Sequence, residues 1–211
     1  MFGRKKSGAT EAGAAPAAPV RVDVTGPRAD GPFDVTERPV DTPAEYLDLG
    51  TLLIKMRGDI EVQLPTEDDV VTAVLVASGG SAVELRPFAG ARSGGTWDGV
   101  RAELVEEVES RGGKHQEIDG PFGPELLAQF PAKAPDGSDA IQPARFIGIE
   151  GPRWVLRATI LGAAGLESTT DGVFMEVLRD LRVRRGEEPR ILRETLPLVL
   201  PADAQRIPEE E

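Results

Sequence analysis

Two adjacent glycines, Gly79-Gly80, separate VVTAVLVASGG (70–80) from SAVELRPFAG (81–90), and they restrict the fold more than any other feature. A glycine pair supplies the positive φ angles that a two-residue turn demands, so the flanking segments pair as an antiparallel hairpin. In the first segment the larger apolar groups fall at Val70, Val74 and Val76, the two-residue period of a strand with one buried face. The next periodic stretch is of another kind. In DGVRAELVEEVES (98–110), Val100, Leu104 and Val108 recur every four residues with Val105 beside them, and Glu103, Glu106, Glu107 and Glu109 mostly take the other side. This spacing predicts an amphipathic helix, with Thr96 or Asp98 available to cap its start and Gly112-Gly113 to end it.

The remaining elements follow from the same signals. DLGTLLIKM (48–56) and DIEVQL (59–64) read as two strands joined by Arg57-Gly58, extending one edge of the sheet, with PTEDD (65–69) as a turn. HQEIDG (115–120) and PELLAQFPA (124–132) are strand pieces interrupted by Pro121-Phe122-Gly123, and 134–142 is a polar loop. RFIGIEG (145–151) and WVLRATILG (154–162) form a second hairpin around Gly151-Pro152-Arg153. DGVFMEVLRDLRV (171–183) is a second helix with Val173, Val177 and Leu181 on one face, and ETLPLVLP (194–201) is a final strand.

Leu85-Arg86, Gly90 and Asp98-Gly99-Val100 are echoed by Leu156-Arg157, Gly162 and Asp171-Gly172-Val173. Either a ββαβ unit is duplicated or a chain rich in Gly and Ala repeats itself by chance; the shared element order favours duplication. The expectation is an α+β fold, a mainly antiparallel sheet with both helices on one face. Residues 1–32, rich in Ala, Gly and Pro, read as a disordered tail, 33–201 as a single α+β domain, and 202–211 as an acidic C-terminal tail.

Charge and composition then exclude function classes. With 24 Lys and Arg against 36 Asp and Glu, the net charge of −12 repels phosphate backbones and anionic lipid, so nucleic acid is disfavoured as a partner. The counter-signals, Arg4-Lys5-Lys6 and Arg182-Val183-Arg184-Arg185, are short, and the second suits the last turn of a helix. There is no cysteine, hence no disulfide or thiolate site, which suits a cytoplasmic location. No run approaches the roughly 20 apolar residues of a membrane span. The N-terminus lacks the apolar stretch of an export signal.

The chemistry-bearing residues are few. The single histidine, His115, has no Cys or spaced carboxylate to make a metal site and no nucleophile motif to make a triad. Glu67-Asp68-Asp69 and Asp136-Gly137-Ser138-Asp139 read as turns and lack the ligand spacing of a calcium loop. Ser93-Gly94-Gly95-Thr96 before a helix resembles a phosphate cradle, but the P-loop lysine is missing and Asp98 sits where the phosphate would. No cofactor and no catalytic residue is expected. The candidate binding residues are Arg92, Trp97, Arg153, Trp154 and Arg157, since aromatics flanked by arginines can build a stacking or anion-binding cleft. The alternative is that each Trp plugs one end of a core.

The marks SGG-x-WD, GPFG and GPRW-x-LR, with the MFGRKK opening and the GPFD entry, closely resemble an actinobacterial family of unknown function across roughly residues 31–201. The resemblance implies a cytoplasmic protein with no assigned activity, cofactor or catalytic residue. The leading expectation is therefore a non-catalytic module that binds or scaffolds a protein partner. Its alternatives are a small-molecule or nucleotide-binding enzyme using Asp98, Glu150, Arg153 and Arg157, and a nucleic-acid-associated protein.

Overall fold

The Gly79-Gly80 hairpin forms part of a large antiparallel sheet. Both glycines adopt positive φ (58° and 76°), and the strands they join, β7 (Val74–Ser78) and β8 (Ser81–Ala89), pair from Val74↔Leu85 to Ser78↔Ser81. The structure, a computed structural model, describes residues 21–167, 171–202 and 204. In chain order the earlier strands are β1 (Phe33–Asp34), β2 (Tyr46–Leu49), β3 (Leu52–Lys55), β4 (Glu61–Gln63), β5 (Thr66–Glu67) and β6 (Val70–Val71). After β8 come helix α1 (Thr96–Ser110), β9 (Lys114–Gly120), β10 (Gly123–Lys133), β11 (Asp139–Gly151), β12 (Trp154–Leu161), helix α2 (Val173–Asp180) and β13 (Arg182–Val183). The large sheet has seven strands in the order β4-β7-β8-β12-β11-β10-β9; a four-stranded sheet runs β1-β13-β3-β2, and β5-β6 is a separate ribbon. The class is α+β, with mostly antiparallel sheets and two α-helices.

Alternation along β12 divides the large sheet's two faces. Trp154, Leu156, Ala158 and Ile160 point into a core shared with Phe174, Met175, Val177 and Leu178 of α2 and with Leu49, Leu52 and Ile54 of the small sheet. Val155 belongs to the other core, with Trp97, Leu104 and Val108 of α1 and Leu126, Phe130 and Phe146 of the sheet. The helices thus lie on opposite faces, a correction to the expected single face. The two glycine-bearing loops leave the sheet toward different sides, a choice that no local letter pattern encodes.

The surroundings of the repeated motifs are accordingly unlike. Arg86 and Arg157 are direct partners across β8 and β12, yet α1 leads into the edge strand β9 of the large sheet and α2 into β13 of the small one. The echo of letters does not become a structural duplication.

Several element boundaries also differ. The segment 48–56 is not one strand: Gly50 takes φ 78° and turns β2 back on β3, and both strands join the small sheet, leaving β4 alone at the large sheet's edge. α2 stops at Asp180 because Leu181 is extended (φ −56°, ψ 146°), so Arg182-Val183 pairs with Leu53-Leu52 as a strand. The polar loop is confined to 134–138, where Ala134 N–H bonds to the Ser138 carbonyl and β11 begins at once. The expected strand 194–201 makes isolated bridges to Phe88 and Gly50, since Pro197 and Pro201 remove ladder donors.

Of the expected N-terminal tail, residues 1–20 lie outside the described residues, as does most of the expected acidic C-terminal tail. Packed structure begins before Phe33: Arg28 pairs with Glu37 at 2.8 Å, and Gly31 and Pro32 are buried.

Candidate functional site

The start of α1 shows how the sequence deals with its most anion-like signal. Gly95, left-handed at φ 80°, precedes the helix, and the N–H groups of Gly95 and Trp97 both donate to the Glu150 carboxylate, at 2.9 Å each. Glu150 arrives from β11, so the position that a phosphate would take is filled by the protein's own anion, which also complements the helix dipole. Neither expected cap performs that role: Thr96 Oγ1 accepts from the Ala91 N–H, and exposed Asp98 pairs with Arg101 at 3.0 Å.

The five candidate binding residues are dispersed. Trp97 is 4% exposed, lies against Gly148 and donates its Nε1–H to the Pro124 carbonyl at 2.7 Å. Trp154 is 1% exposed on the opposite face, stacked under Arg28 (5.2 Å) and donating to Asp34 Oδ2 at 3.0 Å. Each indole plugs a separate core, and no shared cleft forms. Arg92 is exposed on the loop before α1, and Arg153, at φ 61° in the β11–β12 turn, donates to the Gly186 carbonyl. The four residues of the enzyme alternative are equally scattered, with Asp98 and Glu150 engaged at α1 and Arg153 at Gly186. The basic run is not the end of a helix: Arg182 donates to the carbonyls of Asp180 and Leu181, Arg184 pairs with Asp48, and Arg185 donates to the carbonyls of Arg153 and Glu188.

Arg157 differs. It points from β12 to the α1 side of the sheet, into a recess of about 210 Å³ between the helix and the half of the sheet face that α1 leaves uncovered. Glu84 supplies the nearest negative charge but is shared: it holds Arg86 through two bonds of 2.8 and 3.1 Å and reaches Arg157 at 3.6 Å. Across the recess Arg111 stacks 4.2 Å from the Phe130 ring and lies 3.4 Å from Glu107. Burial holds the Arg157 guanidinium below its ordinary pKa, opposed by Glu84 and reinforced by the charge of Arg86. Two buried polar atoms here, Arg157 Nε and Thr159 Oγ1, have no hydrogen-bond partner among the described residues. Thr159 is 6% exposed and follows Arg157 on the same face. A buried polar atom without a partner destabilises, and both of these belong to residues that line the recess. By contrast, the broader depression of about 630 Å³ along Gly58–Glu61 and the Gly79-Gly80 turn holds no such buried, unpartnered polar atom among the described residues.

A second buried charge was missed in the sequence. Glu125 and Arg145 pair at 2.6 Å, 0% and 1% exposed, on the α2 side of β10 and β11, and Arg145 also donates to the Glu167 carbonyl at 2.9 Å. Burial pushes the Glu125 carboxyl up against the opposing pull of Arg145. The signal that could have exposed the pair is a charge in each of two apolar strand runs, PELLAQF and ARFIGIE. His115 lies on β9 with Glu109 3.0 Å away. Among the described residues no three His, Cys, Asp or Glu groups gather to hold a metal ion, and no helix is long and apolar enough to cross a membrane.

Fold and recess together define an α+β protein of two packed sheets in which the half-buried Arg157 faces a small, partly apolar cavity. The chain belongs to a family of proteins of unknown function, DUF3710, whose model matches residues 31–207. Among curated proteins none matches. A crystal structure from Bacteroides thetaiotaomicron VPI-5482 is similar over 64% of this chain and 45% of that one, with 14% identity and a TM-score of 0.40. The chain spans less than half the length of that protein.

Proposed function

We propose that this chain is a non-catalytic binding module that docks a protein partner on the uncovered sheet face beside α1, with the Arg157 recess at its centre. The observation that carries the reading is the recess itself: a desolvated arginine and a buried hydroxyl, both short of partners, at the floor of a cavity of about 210 Å³. Nucleotides and other drug-sized ligands occupy about 300–1,000 Å³. A space below that range suits one side chain of a larger partner, whose remaining contacts fall on the flanking strands β7 and β8. The same reading places the module in a reducing cytoplasm, in keeping with a sequence free of cysteine. The enzyme alternative has no gathered set of groups to support it, because Asp98, Glu150 and Arg153 serve separate local bonds away from Arg157.

The test is a photo-crosslinking residue placed at Gln142, on the rim of the recess, in the full chain in its own cell. The reading expects a discrete adduct that Arg157→Gln abolishes and that re-forms from the purified partner and purified chain. Adducts that are unaffected by Arg157→Gln, or identical to those from a crosslinker at Asp136 in the distant β10–β11 turn, would overturn it.

A further inference from the structure

We infer that the recess is a carboxylate site: it takes a single carboxylate on a short apolar stem, carried by a glutamate or aspartate of the docked segment or by a free small acid. The inference rests on the docking reading above and names what that surface recognises.

The wall charges decide the sign and the number. Glu84 is committed to Arg86 through two hydrogen bonds and Glu107 lies beside Arg111, so one positive charge, that of Arg157, is left under-compensated. Three arginines against two fixed carboxylates leave one net positive charge, which accommodates a monoanion; a phosphate dianion would bring a second negative charge toward Glu84 and Glu107. The whole-protein charge of −12 adds to that discrimination, because a polyanion meets the repulsion many times over and a lone carboxylate once.

Donor geometry agrees. Arg157 and Thr159 are two residues apart on one strand, so their side chains leave the same face about 6–7 Å from each other. A guanidinium presents parallel N–H groups matched to the two oxygens of a carboxylate, and the Thr159 hydroxyl supplies a further donor to the same group. Between the charged groups the lining is apolar, from Leu104, Phe130, Phe146 and Leu161. The guanidinium and the nearby apolar side chains match a carboxylate that enters head first with methylenes behind it. Each water claims about 30 Å³, so about 210 Å³ holds such a side chain and little more.

The experiment observes the Arg157 Nε–H resonance by ¹H–¹⁵N NMR in the full chain while three probes are titrated: sodium butyrate, inorganic phosphate, and a capped peptide whose one glutamate is its single charged group. Butyrate and the peptide are expected to shift that resonance saturably. Phosphate is expected to bind at least tenfold more weakly than butyrate. Thr159→Val should weaken butyrate at least threefold with the backbone spectrum unchanged, and Arg157→Gln should remove the response. No saturable shift at Arg157, or phosphate tighter than butyrate, overturns the inference. If butyrate binds and the glutamyl peptide does not, the carboxylate site stands with a free acid as its ligand, and it is the docking reading that fails.

Discussion

Replacing Glu125 with glutamine would keep the side chain's shape and strip its charge, leaving Arg145, 1% exposed, against a neutral amide. Removing one member of a buried ion pair costs about 3–5 kcal/mol, because the survivor stays desolvated without its counter-charge. In a domain of this size each kcal/mol moves Tm by about 2–4 °C, so Glu125→Gln should melt roughly 6–20 °C below the parent. Arg145→Met strands the carboxylate instead. Burial already pushes that carboxyl up, so it can escape its penalty by taking a proton. A carboxyl whose folded pKa exceeds its unfolded value binds more protons when folded, and stability then falls as pH rises through the interval between the two. The Arg145→Met deficit should therefore be smaller near the ordinary carboxylate range, about pH 4–5, than at about pH 8. The double variant Glu125→Met, Arg145→Met should recover most of the loss, short of about 1 kcal/mol for the bond from Arg145 to the Glu167 carbonyl. Urea and thermal unfolding followed by tryptophan emission measure all four proteins. A Glu125→Gln variant within about 2 °C of the parent, or a double variant that loses the sum of the two singles, would refute the reasoning.

Glu150→Ala should cost about 1–2 kcal/mol by uncovering the Gly95 and Trp97 N–H groups, measured as a lower urea midpoint with less helical circular dichroism. Gly148→Ala places a Cβ inside the Trp97 ring, so it should lower stability by about 1–3 kcal/mol and shift the emission of that indole. Thr159→Val removes a buried hydroxyl with no partner and should raise stability by about 1 kcal/mol, seen as a higher Tm alongside the weaker carboxylate binding. Burial pushes the Glu37 carboxyl up, but hydrogen bonds from Arg28 and the Asp34 N–H outweigh it and hold it below the usual carboxylate range. Its stability contribution is therefore present above about pH 4.5 and lost as pH falls below that, and an acid titration of Glu37→Gln should show a flatter decline.

Much of the large sheet was legible because its signals are local. Gly79-Gly80 fixes one hairpin, Gly151-Pro152-Arg153 another, and the four-residue recurrence of Val100, Leu104 and Val108 fixes α1. The misreadings share a different origin. Val173, Val177 and Leu181 keep helical spacing through Leu181, and it is pairing with β3 that bends the chain into a strand one residue later. The face on which each helix lands depends on packing across the sheet. The site was legible in part: Arg157 interrupts the apolar run WVLRATIL, whereas a threonine in a strand is ordinary, so Thr159 gave no sign before its hydroxyl was seen enclosed without a partner. Glu150 was read as chemistry because nothing local reveals that the N–H groups it serves lie more than fifty positions earlier.

The parallel pairing of Phe33↔Arg182 and Asp34↔Val183 imposes an order on synthesis. β1 emerges from the ribosome about 150 residues before the one strand that ties it into a sheet, and until then Leu52 and Leu53 offer β3's unpaired edge to any neighbouring chain. A stop codon upstream of Arg182 would leave that edge open for good, giving insoluble polypeptide where a domain with merely reduced binding would be expected. Shortening the C-terminal end thus injures the N-terminal strands first.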